Sequence, residues 1–369
     1  MIAIVADDFS GATELAGIAV SHGLSAEVVD VHDISGASDV IAINTHSRSL
    51  PSDEARELLT KVAKDLRELK PTHVFKKTDS VLRGNTATEI SVLAKALTYE
   101  NALFIPANPS RGRCIRDGHY LINDVPLDET VFGKDPEHPV HTSEVRALLN
   151  HPECIQPRSV LEPTTSGLWV PDIPDQATLE AWSKKVPSRT MPAGASDFFT
   201  ALLGEWGHKK HTPDINAECS PGPRLFICGS KAGLELWNSG SEPALAQIAL
   251  SEDALVIDGI NEAGAAMSSG KDVLLHLAAT TWSPLLAEAA LADMATRIIR
   301  LTNPKSIFME GGATAMAMAR LNGWHRFQIT APGRDGIAQF QPAGSSLNLY
   351  AKPGSYPWPE SLLSKSASS

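Results

Sequence analysis

Residues 2–16 constrain the fold more than any other stretch. Ile2-Ala-Ile-Val-Ala6 is a short apolar, β-branched run that meets two adjacent carboxylates, Asp7 and Asp8, and continues past Ser10-Gly11 as an apolar helix. Strand, acidic pair, small turn, helix is how open α/β sheets present chemistry at the carboxyl ends of their strands. Ser10 reads as the N-cap of that helix, with Glu14 near its positive end. Asp7 and Asp8 are therefore active-site candidates, one able to bind a metal or a substrate hydroxyl and the other to take a proton. The competing reading is a solvated turn in which Asp8 merely helps to cap the helix.

The same alternation recurs along the chain. Strands are expected at 26–31, 40–44, 73–76 and 102–105, and helices at 52–69 and 86–99, the former with an apolar stripe of Leu58, Val62, Leu66 and Leu69. Alternating strands and helices imply parallel sheets covered on both faces. The pattern breaks from 106 to about 163, which reads as an ordered functional loop with a hairpin turning at Asn123-Asp124. It resumes with a strand at 168–170 and helices at 176–185 and 196–206. After a polar stretch the second half offers strands at 225–228, 254–257, 273–277, 306–309, 327–329 and 347–350, and a long helix at 284–301. The expectation is an α/β protein of two three-layer domains, each with a mainly parallel sheet flanked by helices. The domains are placed at 1–210 and 223–360, with a linker at 211–222 and a frayed Ser-rich tail at 361–369.

Composition excludes several classes of function. A net charge of -11 argues against nucleic acid as a partner, which would call for an excess of Lys and Arg. No stretch approaches a membrane span and residues 1–8 carry no basic leader, so a cytoplasmic protein without a membrane partner is expected. The four cysteines, Cys114, Cys154, Cys219 and Cys228, are widely spaced, which suits reduced thiols better than a zinc site.

Three further groups carry chemistry. Lys76-Lys77-Thr78-Asp79-Ser80, with Arg83-Gly84-Asn85, ends a strand at the edge where Asp7 and Asp8 lie if the sheet is parallel. Arg offers a planar fork for a carboxylate and Lys a point charge, while Asp79 holds a cation or binds a sugar hydroxyl. The irregular loop holds Asn108, Arg111, Arg113, Asp117 and His119, of which His119 is singled out as a ligand contact. In the second half, Gly229-Ser230, Gly311-Gly312-Ala313-Thr314 and Gly354 each follow an expected strand, where glycine lets backbone N–H groups approach phosphates. The stretch 264–272 imitates a P-loop but has one residue too many and Asp272 where Ser or Thr should follow Lys271. Gly194-Ala-Ser-Asp197 imitates the catalytic turn of ribokinase-type sugar kinases, with Ser in place of the middle Gly.

Together these strings resemble the four-carbon acid sugar kinase family. Ala6-Asp-Asp-Phe-Ser-Gly-Ala12 matches its first motif, residues 76–85 its second, and residues 106–136 its Pro-Ala-x-Pro…Gly-Arg and Gly-His-Tyr segments. The resemblance implies an ATP- and Mg²⁺-dependent kinase acting on the terminal hydroxyl of erythronate, threonate or a 3-oxo-tetronate. The sugar acid would bind the N-terminal domain and ATP the C-terminal one. In the mechanism expected on that footing, Arg83, helped by Lys77, clamps the substrate carboxylate, Asp8, Asp79 and Asn85 read its hydroxyls, Asp8 orients or deprotonates the attacking one, and Asp7 and His119 complete the sugar-acid site. Ser230, Gly311, Gly312, Ala313, Thr314 and Gly354 fall on the family's nucleotide contacts. The second half departs from the pattern: Gly-Gly-(Glu/Asp)-Thr becomes Gly311-Gly312-Ala313-Thr314, losing a carboxylate. That departure keeps a hydroxy-acid-binding regulatory protein with a degraded nucleotide site as an alternative, beside the ribokinase-type reading. A homodimer is the assembly entertained.

Overall fold

The computed structural model describes residues 1–134, 139–151, 154–155, 166–211, 222–229, 233–235, 237, 245–251, 256–278, 282–334, 337–352 and 358. Contacts divide the chain into two compact units, Met1–Ser25 with Asp30–His211, and Ala26–Val29 with Thr212–Ser369. The expected first domain thus gives up one short segment.

In the first unit, β1 (Ile2–Ala6) pairs in parallel with β3 (Val40–Asn44) on one side and β4 (His73–Lys77) on the other. The sheet continues through β11 (Thr190–Gly194), β5 (Asn101–Ile105), β10 (Leu168–Trp169) and β9 (Cys154–Ile155), every pair parallel. β1 and β3 are buried along their whole length, as strands covered on both faces must be. The helices are α1 (Phe9–Ser21), α2 (Ser52–Leu69), α3 (Thr86–Ala96), α4 (Val145–Leu149), α5 (Gln176–Ser183) and α6 (Ser196–Glu205), with α1 packing on α6 and α2 on α3. The stripe of α2 is rotated from the expected one: Leu59, Val62, Ala63 and Leu66 are buried, and Leu58 and Leu69 flank it.

β11 escaped the sequence reading because Pro192 and Gly194 sit in it, both poor strand residues. Gly194 is required there: its φ is 150°, and a Cβ would stand 2.0 Å from the Ile105 carbonyl oxygen of the next strand. The irregular loop is ordered around a three-stranded antiparallel sheet, β6 (Arg113–Arg116), β7 (His119–Ile122) and β8 (Val125–Pro126). Its turn is at Asn123 and Asp124, both at positive φ, as a tight hairpin needs.

In the second unit, β13 (Ala246–Leu250), β14 (Val273–Leu277), β12 (Leu225–Cys228), β15 (Ser306–Glu310) and β18 (Asn348–Lys352) run parallel in that order. β17 (Ile337–Pro342) and β16 (Arg326–Arg334) extend the sheet antiparallel. β16 then takes β2 (Ala26–Asp30), through the register Arg326 to Val29 and an Arg326–Glu27 ion pair. The helices are α7 (Val256–Ser268), α8 (Pro284–Thr302) and α9 (Gly312–Asn322). Val256 and Ile257 belong to α7, correcting the strand expected at 254–257, of which 254–255 fall outside the described residues. The P-loop imitation is dissolved as well, since Gly264 lies inside that helix. No helix among the described residues is long and apolar enough to cross a membrane.

Candidate functional site

The strand order β3-β1-β4 makes the site of the first unit. The chain leaves β1 and reaches β3 on one side, then crosses to β4 on the other, so three loops meet at the carboxyl edge around β1. They carry Asp7 and Asp8 after β1, residues 45–48 after β3, and residues 78–85 after β4.

Asp8, not Ser10, caps α1: its Oδ1 accepts the Gly11 N–H at 2.8 Å. The capping role does not exhaust it, because Oδ2 stands 3.0 Å from Arg48 Nη1. Arg48 was not among the sequence candidates, yet it gathers the site. Its Nε donates to Asp7 Oδ2 at 2.8 Å, and its Nη2 is 3.7 Å from Asp79 Oδ1. A lone Arg in a loop gives no local signal; only the adjacency of β3 and β1 brings it to the aspartates.

Burial pushes the Asp7 carboxyl up, but Arg48 and Lys76 more than reverse this and hold it below the ordinary range. Asp79 is held well below it, burial again outweighed by Arg48 and Arg83. Burial opposes the charge of Arg48, yet Asp7, Asp8 and Asp79 hold that guanidinium charged well beyond its ordinary value.

The two lysines of the second motif part company, because successive strand residues face opposite ways. Lys76 Nζ pairs with Glu89 Oε2 of α3 at 2.8 Å, both groups fully buried. Lys77 Nζ donates to the Thr78 carbonyl at 2.9 Å and lies 3.5 Å from Glu14 Oε2 of α1. Burial lowers Lys77, but Glu14, Asp8 and Asp7 raise it further and the group stays charged. Gly11 is packed between partners here: a Cβ on it would meet Asp8 Oδ1 at 2.8 Å and Lys77 Nζ at 3.3 Å.

Asp79 grips Arg83 in a fork, Oδ2 to Nε at 2.9 Å and Oδ1 to Nη2 at 3.0 Å. Of the two roles open to Asp79, holding a cation is the one the geometry fills. Asn85 donates to the Leu50 carbonyl at 2.6 Å, tying the loop after β4 to the loop after β3. His119 lies outside this group. It is exposed, with Nδ1 3.0 Å from Ser143 Oγ, because alternation along β7 turns its neighbour Tyr120 inward instead. Tyr120 donates to the Ser80 carbonyl and is fully buried. The edge also holds buried polar atoms with no hydrogen-bond partner, Asp7 Oδ1, Asn44 Nδ2 and Thr78 Oγ1. They are capacity for a polyhydroxylated ligand.

In the second unit, Gly311 is the N-cap of α9 at a φ of 91°, without a side-chain cap, and space is open where its Cβ would be. Unclaimed amides at the start of an 11-residue helix suit a phosphate. Thr314 stands behind them, its Oγ1 2.4 Å from where a Gly229 Cβ would lie. The Gly311 N–H is spent on the Lys352 carbonyl at 3.0 Å, so the amides of Gly312, Ala313 and Thr314 are the ones that fit a nucleotide phosphate, with Gly311 allowing close approach. Ser230 and Gly354 lie outside the described residues. Lys352, at the end of the neighbouring strand, is turned away from any ligand: its Nζ is 3.2 Å from Glu310 Oε2 and the residue is 1% exposed. The described residues include no cluster of three or more His, Cys, Asp or Glu able to hold a metal by themselves.

The profile of the sugar-binding N-terminal domain family matches residues 2–154. D-threonate kinase from Salmonella typhimurium is 33% identical over 149 residues, 40% of this chain and 35% of that one. D-erythronate kinase from Heliobacterium modesticaldum is 31% identical over 154 residues, again 40% and 35% of the two chains. Over residues 2–154 the chain is similar to the sugar-binding N-terminal domain of four-carbon acid sugar kinases. The chain matches about a third of the length of these two relatives. A D-threonate kinase from Bordetella bronchiseptica aligns more widely, 27% identical over 67% of this chain and 66% of its own. The crystal structure of Haemophilus influenzae protein HI1011 shares the fold, with a TM-score of 0.71 at 19% identity over 98% of both chains.

Proposed function

We propose that the chain is an ATP-dependent kinase that phosphorylates the terminal hydroxyl of a four-carbon sugar acid, erythronate, threonate or a 3-oxo-tetronate. The observation that carries this reading is the charged cluster at the edge of β1. It combines carboxylates for hydroxyl groups, cations for an acid, and one carboxylate, Asp8, held in a single orientation from both sides.

Phosphoryl transfer asks a protein for positioning and charge neutralisation more than for a strong base. Asp8 suits that demand. One oxygen is fixed by Gly11 N–H and the other by Arg48, so its lone pairs have defined directions in which to align the attacking hydroxyl and receive its proton. Arg83, held by Asp79, presents its guanidinium toward the acid, and Lys77 adds positive charge from beneath. When bound, ATP would supply the phosphoryl group and bring Mg²⁺ on its phosphates, with the amides of Gly312, Ala313 and Thr314 as the backbone cradle beside the open space at Gly311.

Asp8→Asn should lower turnover by about 10²- to 10⁴-fold while leaving the melting temperature close to that of the parent. The measurement is ADP release over a panel of four-carbon sugar acids; full activity in the variant would remove Asp8 from the mechanism. Ala313 in place of a carboxylate and the sequestration of Lys352 favour a second reading, a hydroxy-acid sensor that does not turn over nucleotide. Titration calorimetry with ATP–Mg²⁺ separates the two. Absence of binding at millimolar nucleotide, with a tetronate still bound, would replace the kinase by the sensor.

A further inference from the structure

Arg113 has no place in the reading so far, yet it is the most unusual cation of the first unit. It lies at the start of β6 and is 9% exposed. Arginines this buried are normally paired with a carboxylate, since an uncompensated charge away from water is costly. Among the described residues Arg113 has no ion pair. Its side chain donates from Nη1 to Ser80 Oγ and lies 5.9 Å from the centre of the Phe132 ring. Every other cation of the cluster is matched: Arg48 by Asp7, Lys76 by Glu89 and Lys77 by Glu14.

The position is built. Arg113 and Asn108 exchange backbone hydrogen bonds, at 3.0 Å each, where the loop leaves β5. Tyr120 of the facing strand donates to the Ser80 carbonyl, so one hairpin holds Ser80 at both its hydroxyl and its carbonyl. Arg83 lies 5.8 Å from the centre of the same Phe132 ring, and its own charge is balanced by Asp79. Ser80, Arg83 and Phe132 are each only partly buried, which leaves this side of the group open.

We infer that Arg113 supplies the surplus positive charge that binds the carboxylate of the sugar acid, with Ser80 and Arg83 beside it and the Phe132 ring as one wall. The inference rests on the reading of this edge as a sugar-acid site. It also orients the ligand, with the acid end at Arg113 and the hydroxyl end at Asp8. A guanidinium with no anionic partner among the described residues is better placed to bind a carboxylate than Arg48, which already faces three aspartates.

Titration calorimetry on the full chain tests this without nucleotide, using D-erythronate and D-threonate as probes and erythritol as the four-carbon polyol lacking a carboxylate. Arg113→Met should weaken acid binding by about 10- to 100-fold, the loss of one charge-assisted contact, and leave erythritol unaffected. Arg113→Lys should recover part of the affinity, and serves alone if the Met variant does not fold. Unchanged acid binding, or an equal loss for acid and polyol, overturns the assignment. Arg113-dependent acid binding with no ATP consumption in the wild type would overturn the kinase reading and uphold the carboxylate subsite. A wild type that binds neither acid overturns both.

Discussion

A single half-buried arginine dominates the charge state of Asp7 and Asp79. Arg48 faces Asp7, Asp8 and Asp79 from a loop that none of them belongs to. Because the folded-state pKa of Asp7 and Asp79 lies below the unfolded value of about 3.9, their contribution to stability is present above that pH. It is lost as pH falls below about 4 toward their depressed folded values. Arg48→Met should therefore cost about 3–5 kcal/mol at neutral pH, by removing the ion pair of buried Asp7 and leaving it only the pull of Lys76, and should move the acid limb of the stability profile to higher pH. Urea denaturation between pH 2.5 and 7 measures both effects. An acid limb unchanged in the variant would mean that other cations set these carboxylates. The sequence named Asp7, Asp8, Lys77, Asp79 and Arg83 because they crowd into two short strings. It was silent on Arg48, which is joined to them by strand adjacency alone.

At the scale of elements, strand ends carry the chemistry in both units, with different outcomes. β12, β15 and β18 end in register at Cys228, Glu310 and Lys352. Glu310 accepts the indole N–H groups of Trp237 and Trp358, each at 2.6 Å, while Lys352 and Cys228 face its other oxygen at 3.2 and 3.4 Å. Burial lowers the Lys352 pKa even against the pull of Glu310. The network joins both ends of the segment between Lys352 and Trp358 to the strand that leads into α9. Glu310→Ala should cost about 3–5 kcal/mol, with an early change in tryptophan fluorescence as both indoles lose their acceptor. Equilibrium unfolding followed by fluorescence and by circular dichroism checks this, and a loss under 1 kcal/mol would show the network to be dispensable. Elements with a clean period were legible in advance, such as α2 and β3. Those that broke a local rule were not: β11 holds Pro192 and Gly194, tolerated because Gly194 lets the chain pass close to Ile105.

The whole molecule is two units whose division does not follow the chain. Ala26–Val29 leaves the first unit to pair with β16 in the second, held by Arg326 on Glu27 and by Gln328 on the Ala26 carbonyl at 3.0 Å. A fragment spanning 212–369 would leave β16 as an open edge, the kind of strand that templates association. It should self-associate when expressed alone and stay dispersed when Ala26–Asp30 is grafted beside β16; light scattering on the two forms measures this, and a dispersed ungrafted fragment would refute it. The sequence by itself determined the α/β class, the two acidic and basic strings of the first site, and the Gly-rich turn at α9. Each of these is local, written in a short run of residues whose period or spacing has one physical reading. The tertiary structure alone decided the partners: Arg48 among the aspartates, Glu310 on Lys352, Arg113 on Ser80 with no carboxylate among the described residues, and β2 in the second unit. Such pairings join residues tens to hundreds of positions apart, and which side chains meet is settled by strand order and burial that no local pattern encodes.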